Sequence, residues 1–213
     1  MIRSVVFDIG ETLLDDTREW ARWAQWLGVP AHTFSALMGA VVCRGGQLVE
    51  TFALLRPGFD LAYERGLREA AGVGELIEER DLYPDVRASL GALRAAGLWV
   101  GVAGNQTARA GALVRELDLP VDAVATSGEW GVSKPDSQFF ARVVDWAPGR
   151  PEEILYVGDH RDHDIVPASA VGLRAALIRR GPWGHLWADD PLVTGHAEWV
   201  IDSLEELPAL LHG

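Results

Sequence analysis

A doubly wound α/β fold on a parallel sheet, with an all-helical segment inserted near its start, is predicted by three features of the sequence. Apolar runs of strand length recur down the chain, helix-spaced stretches separate them, and residues 15–81 show helical spacing with no convincing strand. The first run, Ile2 to Phe7, is rich in β-branched residues and stops at Asp8, the pattern of a strand buried on both faces. Helix-like stretches then cover Thr17 to Leu27, His32 to Val42 and Phe59 to Ala71, parted by Gly-Val-Pro, Arg-Gly-Gly and Arg-Pro-Gly breakers. The turn at Tyr83-Pro84-Asp85 returns the chain to the α/β body, with Asp85 placed to cap the helix of Val86 to Ala96. Further strands are expected at Leu98 to Ala103, Val121 to Thr126, Ile154 to Val157 and Leu173 to Ile178, each after a helical stretch. A parallel neighbour reached through a helix is the βαβ unit. The expected organisation is a core of residues 1–14 and 82–213 around a helical insertion of residues 15–81.

The 213 residues carry 19 Lys plus Arg against 31 Asp plus Glu, a formal net charge of −12, with 48% hydrophobic and 23% charged residues. That balance belongs to a globular chain with a full core. The acidic excess argues against nucleic acid as a partner, because backbone phosphates demand clustered Lys and Arg. An anionic substrate therefore needs a local cation. Cys43 is the single cysteine and has no internal partner, and no charged start followed by an apolar stretch marks a leader. The apolar runs fall far short of the roughly 18 residues of a membrane span. These features set the expectation of a cytoplasmic protein with no membrane partner, either a monomer or a homodimer. In the insertion, Trp20, Trp23 and Trp26 lie three apart on one helical stripe and read as packing, with the wall of a substrate pocket as the other reading. Cys43 also reads as packing.

Open α/β sheets bind ligands beyond the carboxyl ends of their strands, which singles out the polar residues that follow apolar runs. These are Asp8 in FDIGETLLD, Asn105 in VGVAGNQ, and Asp159 with Asp164 in LYVGDHRDHDI. Three carboxylates at one sheet edge repel one another strongly unless a cation neutralises them. An oxygen-rich site that leaves room for water suits Mg²⁺, which typically also contacts substrate phosphate. Lys134 in GVSKPDSQFF supplies a second cation, able to hold both a carboxylate and a phosphoryl oxygen. Taken singly, Asp8, Asp164 and the Lys134-Pro135 pair read equally well as caps or loop residues; their shared place after strands favours a site. His160 and His163 are expected in loop or supporting roles, since an oxygen site needs no imidazole.

With these residues the sequence resembles the haloacid dehalogenase-like (HAD) hydrolase superfamily over nearly its whole length. The resemblance runs from FDIGETLLD through LYPDVRASLGALRAAG, GVSKPDSQFF and VGDHRDHDIVPASAVGLRAALI to WVIDSLEELPALL. It implies a Rossmann-like core with a helical cap, and a Mg²⁺-dependent phosphatase acting on a small phosphorylated metabolite. It also implies that Asp8 is the nucleophile that becomes an aspartyl phosphate, that Thr12 closes the first motif, and that Lys134 is the motif lysine. Asp159 and Asp164 match the acidic metal-binding pair, with Asp8 and the backbone carbonyl of Gly10 completing the metal contacts. Phosphate contacts fall on Thr12, Gly104, Asn105 and Lys134.

Two departures from the family pattern shape the expected activity. The family's second Asp, its acid and base, falls on Gly10, and the Gly after it falls on Glu11; the hydroxyl residue of the second motif falls on Gly104. Metal binding through a carbonyl survives at Gly10, whereas acid–base help worth about 10²–10⁴ in rate does not. The expected enzyme is slowed, least for acyl or aryl phosphates, whose leaving groups need little protonation. Glu11 points away from the position it follows and is expected as a solvated or capping carboxylate, with a replacement acid–base role the less favoured reading. Two further readings stay open. One is a metal-independent haloacid dehalogenase in which Asp8 attacks carbon. The other is a scaffold without turnover that binds a phosphorylated ligand or a protein partner.

Overall fold

A computed structural model describes residues 1–212. Six strands, β1 (Ser4–Phe7), β2 (Trp99–Gly104), β3 (Ala123–Thr126), β4 (Ile154–Gly158), β5 (Arg174–Ile178) and β6 (Trp199–Ile201), form one sheet in the order β3-β2-β1-β4-β5-β6. Every neighbouring pair is parallel, and Phe7 at the end of β1 lies opposite Val102 on one side and Val157 on the other. The sheet is the doubly wound α/β architecture, Rossmann-like in its strand order. The apolar run of β1 serves both faces in alternation. Val5 and Phe7 pack with Leu90 and Leu93 in one hydrophobic cluster, and Val6 packs with Phe139, Phe140 and Tyr156 in the other.

The chain builds outward from β1 to β2 and β3, then crosses back to place β4 on the other flank of β1. The crevice between the carboxyl ends of β1 and β4 is therefore the topological switch point, where an open sheet binds its ligand. One strand lies beyond the sequence expectation: β6 is three residues long at an edge and only partly buried, too short to show a period.

Asp85 departs from its expected role. It stands at the N-cap of the helix Val86–Ala95, but its side chain makes no capping bond. Its carboxylate instead accepts from Ser203 Oγ and the Leu204 amide, each within 2.9 Å, and pairs with Arg180.

The chain forms two compact units: Met1–Asp15 with the chain from Ile77 onward, and Asp16–Leu76. Ile77 to Asp81 thus group with the sheet rather than with the helices. Ile77 packs on the sheet's core, and the Asp15 amide donates to the Asp81 carbonyl at 2.7 Å. The second unit holds α1 (Thr17–Leu27), α2 (Ala31–Cys43), α3 (Val49–Leu55) and α4 (Leu61–Ala70); the seven-residue α3 is an addition to the three helices expected. Its centre is aromatic. Trp23 meets Phe52 edge-on at 5.0 Å, Phe34 meets Phe52 at 5.3 Å, and Arg68 lies 3.9 Å over the Trp23 ring while bonding Glu19 at 2.8 Å. Of the tryptophan stripe, Trp23 is buried in this cluster, Trp20 stacks on Phe34, and Trp26 donates to Glu64 at 2.7 Å. Cys43 is exposed and not a packing residue: α2 buries Phe34, Met38, Val41 and Val42, and Cys43 falls off that face. Among the described residues no single helix is long and apolar enough to cross a membrane.

Phe139 is fully buried between the sheet and its helix. Replacing Phe139 by Ala is expected to lower unfolding stability by about 3–5 kcal/mol. At exposed Leu192 a change to Ser is expected to stay within about 0.5 kcal/mol, both read from urea midpoints.

Candidate active site

The first strand delivers Asp8 to the carboxyl edge of the sheet, where its amide continues the ladder by donating to the Val157 carbonyl at 2.8 Å. β4 ends one residue before Asp159, on the adjacent strand. Asp164 comes from a wide helical turn, Arg161–Ile165, that folds back over that strand end, and its Oδ2 accepts the His160 amide at 2.9 Å. One carboxylate oxygen from each of Asp8, Asp159 and Asp164 lies within 4.8 Å of the others, and all three residues are buried.

Lys134 sits among them. Its Nζ is 2.6 Å from Asp8 Oδ1 and 2.6 Å from Asp164 Oδ1, with the residue itself 5% exposed. Asn105 explains how the lysine is held. Its Oδ1 accepts the Lys134 amide at 2.8 Å and its Nδ2 donates to the Lys134 carbonyl at 2.9 Å, so this side chain grips the lysine's own backbone. Gly104 has a steric role as well. A Cβ there would collide with Asp8 Oδ1 and stand 3.2 Å from Ile9 Cγ1, so the glycine admits the carboxylate to the position where it meets Lys134.

Burial is the largest influence on Asp8 and pushes its carboxyl up from 3.8 to about 6, with Lys134 opposing and Asp164 adding to the rise. Asp159 is raised well above the usual carboxylate range, first by burial and then by Asp164, Asp8 and Glu11. Burial alone would lower Lys134, but the two carboxylates beside it outweigh that and hold it charged. Three buried carboxylates face one ammonium, so burial first and like-charge repulsion second disfavour ionisation of Asp8 and Asp159. Asp159 Oδ2 and Thr12 Oγ1 are buried with no hydrogen-bond partner among the described residues.

The histidines stand beside the site as supports. His160 Nδ1 accepts the amides of Asp162 and His163 at 3.1 and 3.2 Å, and its ring stacks on His163 at 4.0 Å with Trp183 and Trp187 around it. Burial pushes His160 down to about 2 and lowers His163, so neither imidazole adds positive charge at neutral pH.

Sequence reasoning missed a second layer. Arg180, just past β5, donates to the Thr12 carbonyl at 2.6 Å, pairs with Asp85, and lies 4.2 Å over the Tyr83 ring. Tyr83 in turn donates to Glu11 Oε2 at 2.6 Å. Glu11 is thus not the solvated carboxylate expected: it is 8% exposed and held by a phenol 72 positions away. The only sequence signal for this layer is a basic residue at the end of a buried strand, which alone says little.

A family model described as haloacid dehalogenase-like hydrolase matches residues 2–172. A glyceraldehyde 3-phosphate phosphatase of Methanocaldococcus jannaschii is 34% identical over 128 residues, 59% of this chain and 54% of that protein. The chain thus aligns with little more than half of that relative. An (S)-2-haloacid dehalogenase of Pseudomonas sp. strain CBS-3 is 29% identical over 99% of this chain and 96% of its own. The crystal structure of a HAD-hydrolase, YfnB of Bacillus subtilis, bound to magnesium, covers 100% of this chain and 99% of its own with a TM-score of 0.73 at 19% identity, a likeness of fold.

A folded-state carboxyl raised from 3.8 to about 6 binds its proton more tightly than the unfolded chain does. Its stabilising contribution is present below about pH 4 and lost as pH rises through about 6. In EDTA, Asp8→Asn is therefore expected to melt above the parent at pH 7.5, with the gap closing toward pH 4. An equal gap at both pH values would contradict the assignment.

Proposed function

The chain belongs to the haloacid dehalogenase-like hydrolase family, and from that membership we propose that it hydrolyses a small phosphate monoester through an aspartyl phosphate on Asp8, with Mg²⁺ as its cofactor. The observation that carries the reading is the buried convergence of Asp8, Asp159 and Asp164 with Lys134 between two of them. The donor set fits the metal: oxygen ligands, a charge excess of two, and a buried carboxylate oxygen at Asp159 with no hydrogen-bond partner among the described residues. Asp8, Asp159, Asp164 and the Gly10 carbonyl would hold the ion. Bound there, Mg²⁺ supplies the positive charge that allows the carboxylates to ionise together and offsets the charge of a transferring phosphoryl group.

The chain's own groups then divide the work. In the first step an Asp8 carboxylate oxygen forms a bond to phosphorus as the ester P–O bond breaks, and the departing oxygen takes its proton from solvent. Lys134 opposes the effect of burial and favours the ionised form of Asp8, it neutralises a phosphoryl oxygen, and the Thr12 hydroxyl donates to another. In the second step water attacks phosphorus and Asp8 departs as a carboxylate. Gly10 offers no carboxyl to protonate the leaving oxygen, so leaving-group basicity governs the first step. The similarity to a glyceraldehyde 3-phosphate phosphatase supports a small phosphorylated substrate.

The end-to-end similarity to a haloacid dehalogenase favours a second reading, in which Asp8 attacks carbon. That chemistry gives the buried Asp159–Asp164 pair no task, which ranks it lower.

The test is a panel of phosphate esters assayed with Mg²⁺ and with EDTA, beside chloride release from 2-haloacids. Mg²⁺-dependent hydrolysis is expected, strongest for aryl and acyl phosphates and lost in Asp8→Asn. Chloride release in EDTA without phosphate release would establish the second reading. Gly10→Asp is expected to raise turnover of an alkyl phosphate by about 10²–10⁴ and of an aryl phosphate far less.

A further inference from the structure

The wide turn that carries Asp164 is built on a single residue. The four amides from Asp162 to Ile165 all end on His160: those of Asp162 and His163 on its ring Nδ1 at 3.1 and 3.2 Å, those of Asp164 and Ile165 on its carbonyl at 2.8 and 3.3 Å. The His160 amide in turn donates to Asp164 Oδ2 at 2.9 Å. The first amides of any helical turn lack acceptors within it, and a side chain on the preceding residue commonly supplies one. Asn, Asp and Ser usually fill that place. Here an imidazole does, which requires a lone pair on Nδ1 and the ring proton on Nε2.

The ring is held in that orientation by its neighbours. His163 stacks on it at 4.0 Å with the planes 8° apart, and Trp183 and Trp187 lie 5.1 and 4.8 Å away. Trp187 is covered by Arg161 at 4.4 Å, and Arg161 is tied to Asp190 at 2.8 Å.

Asp164 has little freedom of its own. It is fully buried, it lies so close on Gly158 that a Cβ there would collide with its carboxyl group, and its Oδ1 takes Lys134 Nζ at 2.6 Å. A small rotation of the turn therefore drives the acid into the backbone of β4 or draws it off the lysine. The same Nζ is 2.6 Å from Asp8 Oδ1, so an error in the turn passes to the nucleophile through one ammonium.

We propose that the side chain of His160 is a positioning residue for Asp164 and, through it, for Lys134 and the cation. It contributes an acceptor to the turn and no group to the reaction. The proposal rests on the Mg²⁺ reading given above. Groups that orient metal ligands typically change metal affinity or activity by roughly 10–100-fold when removed.

Two variants separate the ring nitrogen from the ring. Asn carries its Oδ1 at the same number of bonds from the backbone as Nδ1, so His160→Asn keeps the acceptor and loses the aromatic packing. His160→Phe keeps the packing and loses the acceptor. In calorimetric titration of the full chain with Mg²⁺, His160→Phe is expected to bind roughly 10–100-fold more weakly than the parent, with His160→Asn closer to the parent than to His160→Phe. Should His160→Phe fail to fold, His160→Ala takes its place with the same expected order, since Ala and Asn both lack the ring and only Asn has the acceptor. Nitrogen NMR of the metal-free protein at neutral pH should show the His160 ring protonated at Nε2 alone. Equal losses in the Asn variant and the acceptor-free one would overturn the proposal by making ring packing the determinant. Unchanged affinity in the acceptor-free variant, with the parent binding, or a proton on Nδ1 would also overturn it and leave the phosphatase reading intact. Absence of Mg²⁺ binding in the parent would overturn the metal reading itself, and this proposal with it.

Discussion

Three carboxylates buried against one lysine at the junction of β1 and β4 are the constraint to which the rest of the site answers. Like charges withdrawn from water are among the least favourable arrangements a fold can hold, and here Lys134 offsets only part of the repulsion. Burial and the charge of Asp164 raise both Asp8 and Asp159, the electrostatic setting that the proposed cation would relieve. On the proposed reading, the cation and an anionic substrate would enter as a pair, since each offsets the charge of the other.

The fold makes this arrangement possible by rigid means. Both supporting strands are flanked by hydrogen-bonded neighbours and packed on both faces, so neither Asp8 nor Asp159 can retreat toward solvent. Around them, short-range contacts set direction: Asn105 grips the backbone of Lys134, Gly104 makes room for Asp8, and His160 anchors Asp164 through its amide. Farther out, the Asp85–Arg180–Tyr83 layer fastens the loop that carries Thr12 and Glu11. Each layer restricts the one inside it, which is how a loop can hold its side chains with the precision of a strand.

Much of this was legible in the sequence, for reasons that differ by residue. Strands β1 and β4 announce themselves because burial on both faces demands an unbroken apolar run, and the acids that end those runs stand out for the same reason. Lys134, Asp159 and Asp164 were readable through spacing and order. β6 and α3 were not, being too short to develop a period. Asp85 looked like a cap because its local context is a helix start, and the Arg180 that claims its carboxylate lies 95 positions on. Glu11 and Asn105 follow the same pattern. Their partners are tertiary, and no local rule could name them.

The central claim is that Asp8, Asp159 and Asp164 surround a divalent cation. An anomalous difference map from a crystal soaked in Mn²⁺, a stand-in for Mg²⁺ with a measurable signal, tests it most directly. The account predicts one strong peak bounded by those three carboxylates, with Lys134 still on Asp8. A well-ordered site with no peak, or a peak placed elsewhere on the chain, would contradict it.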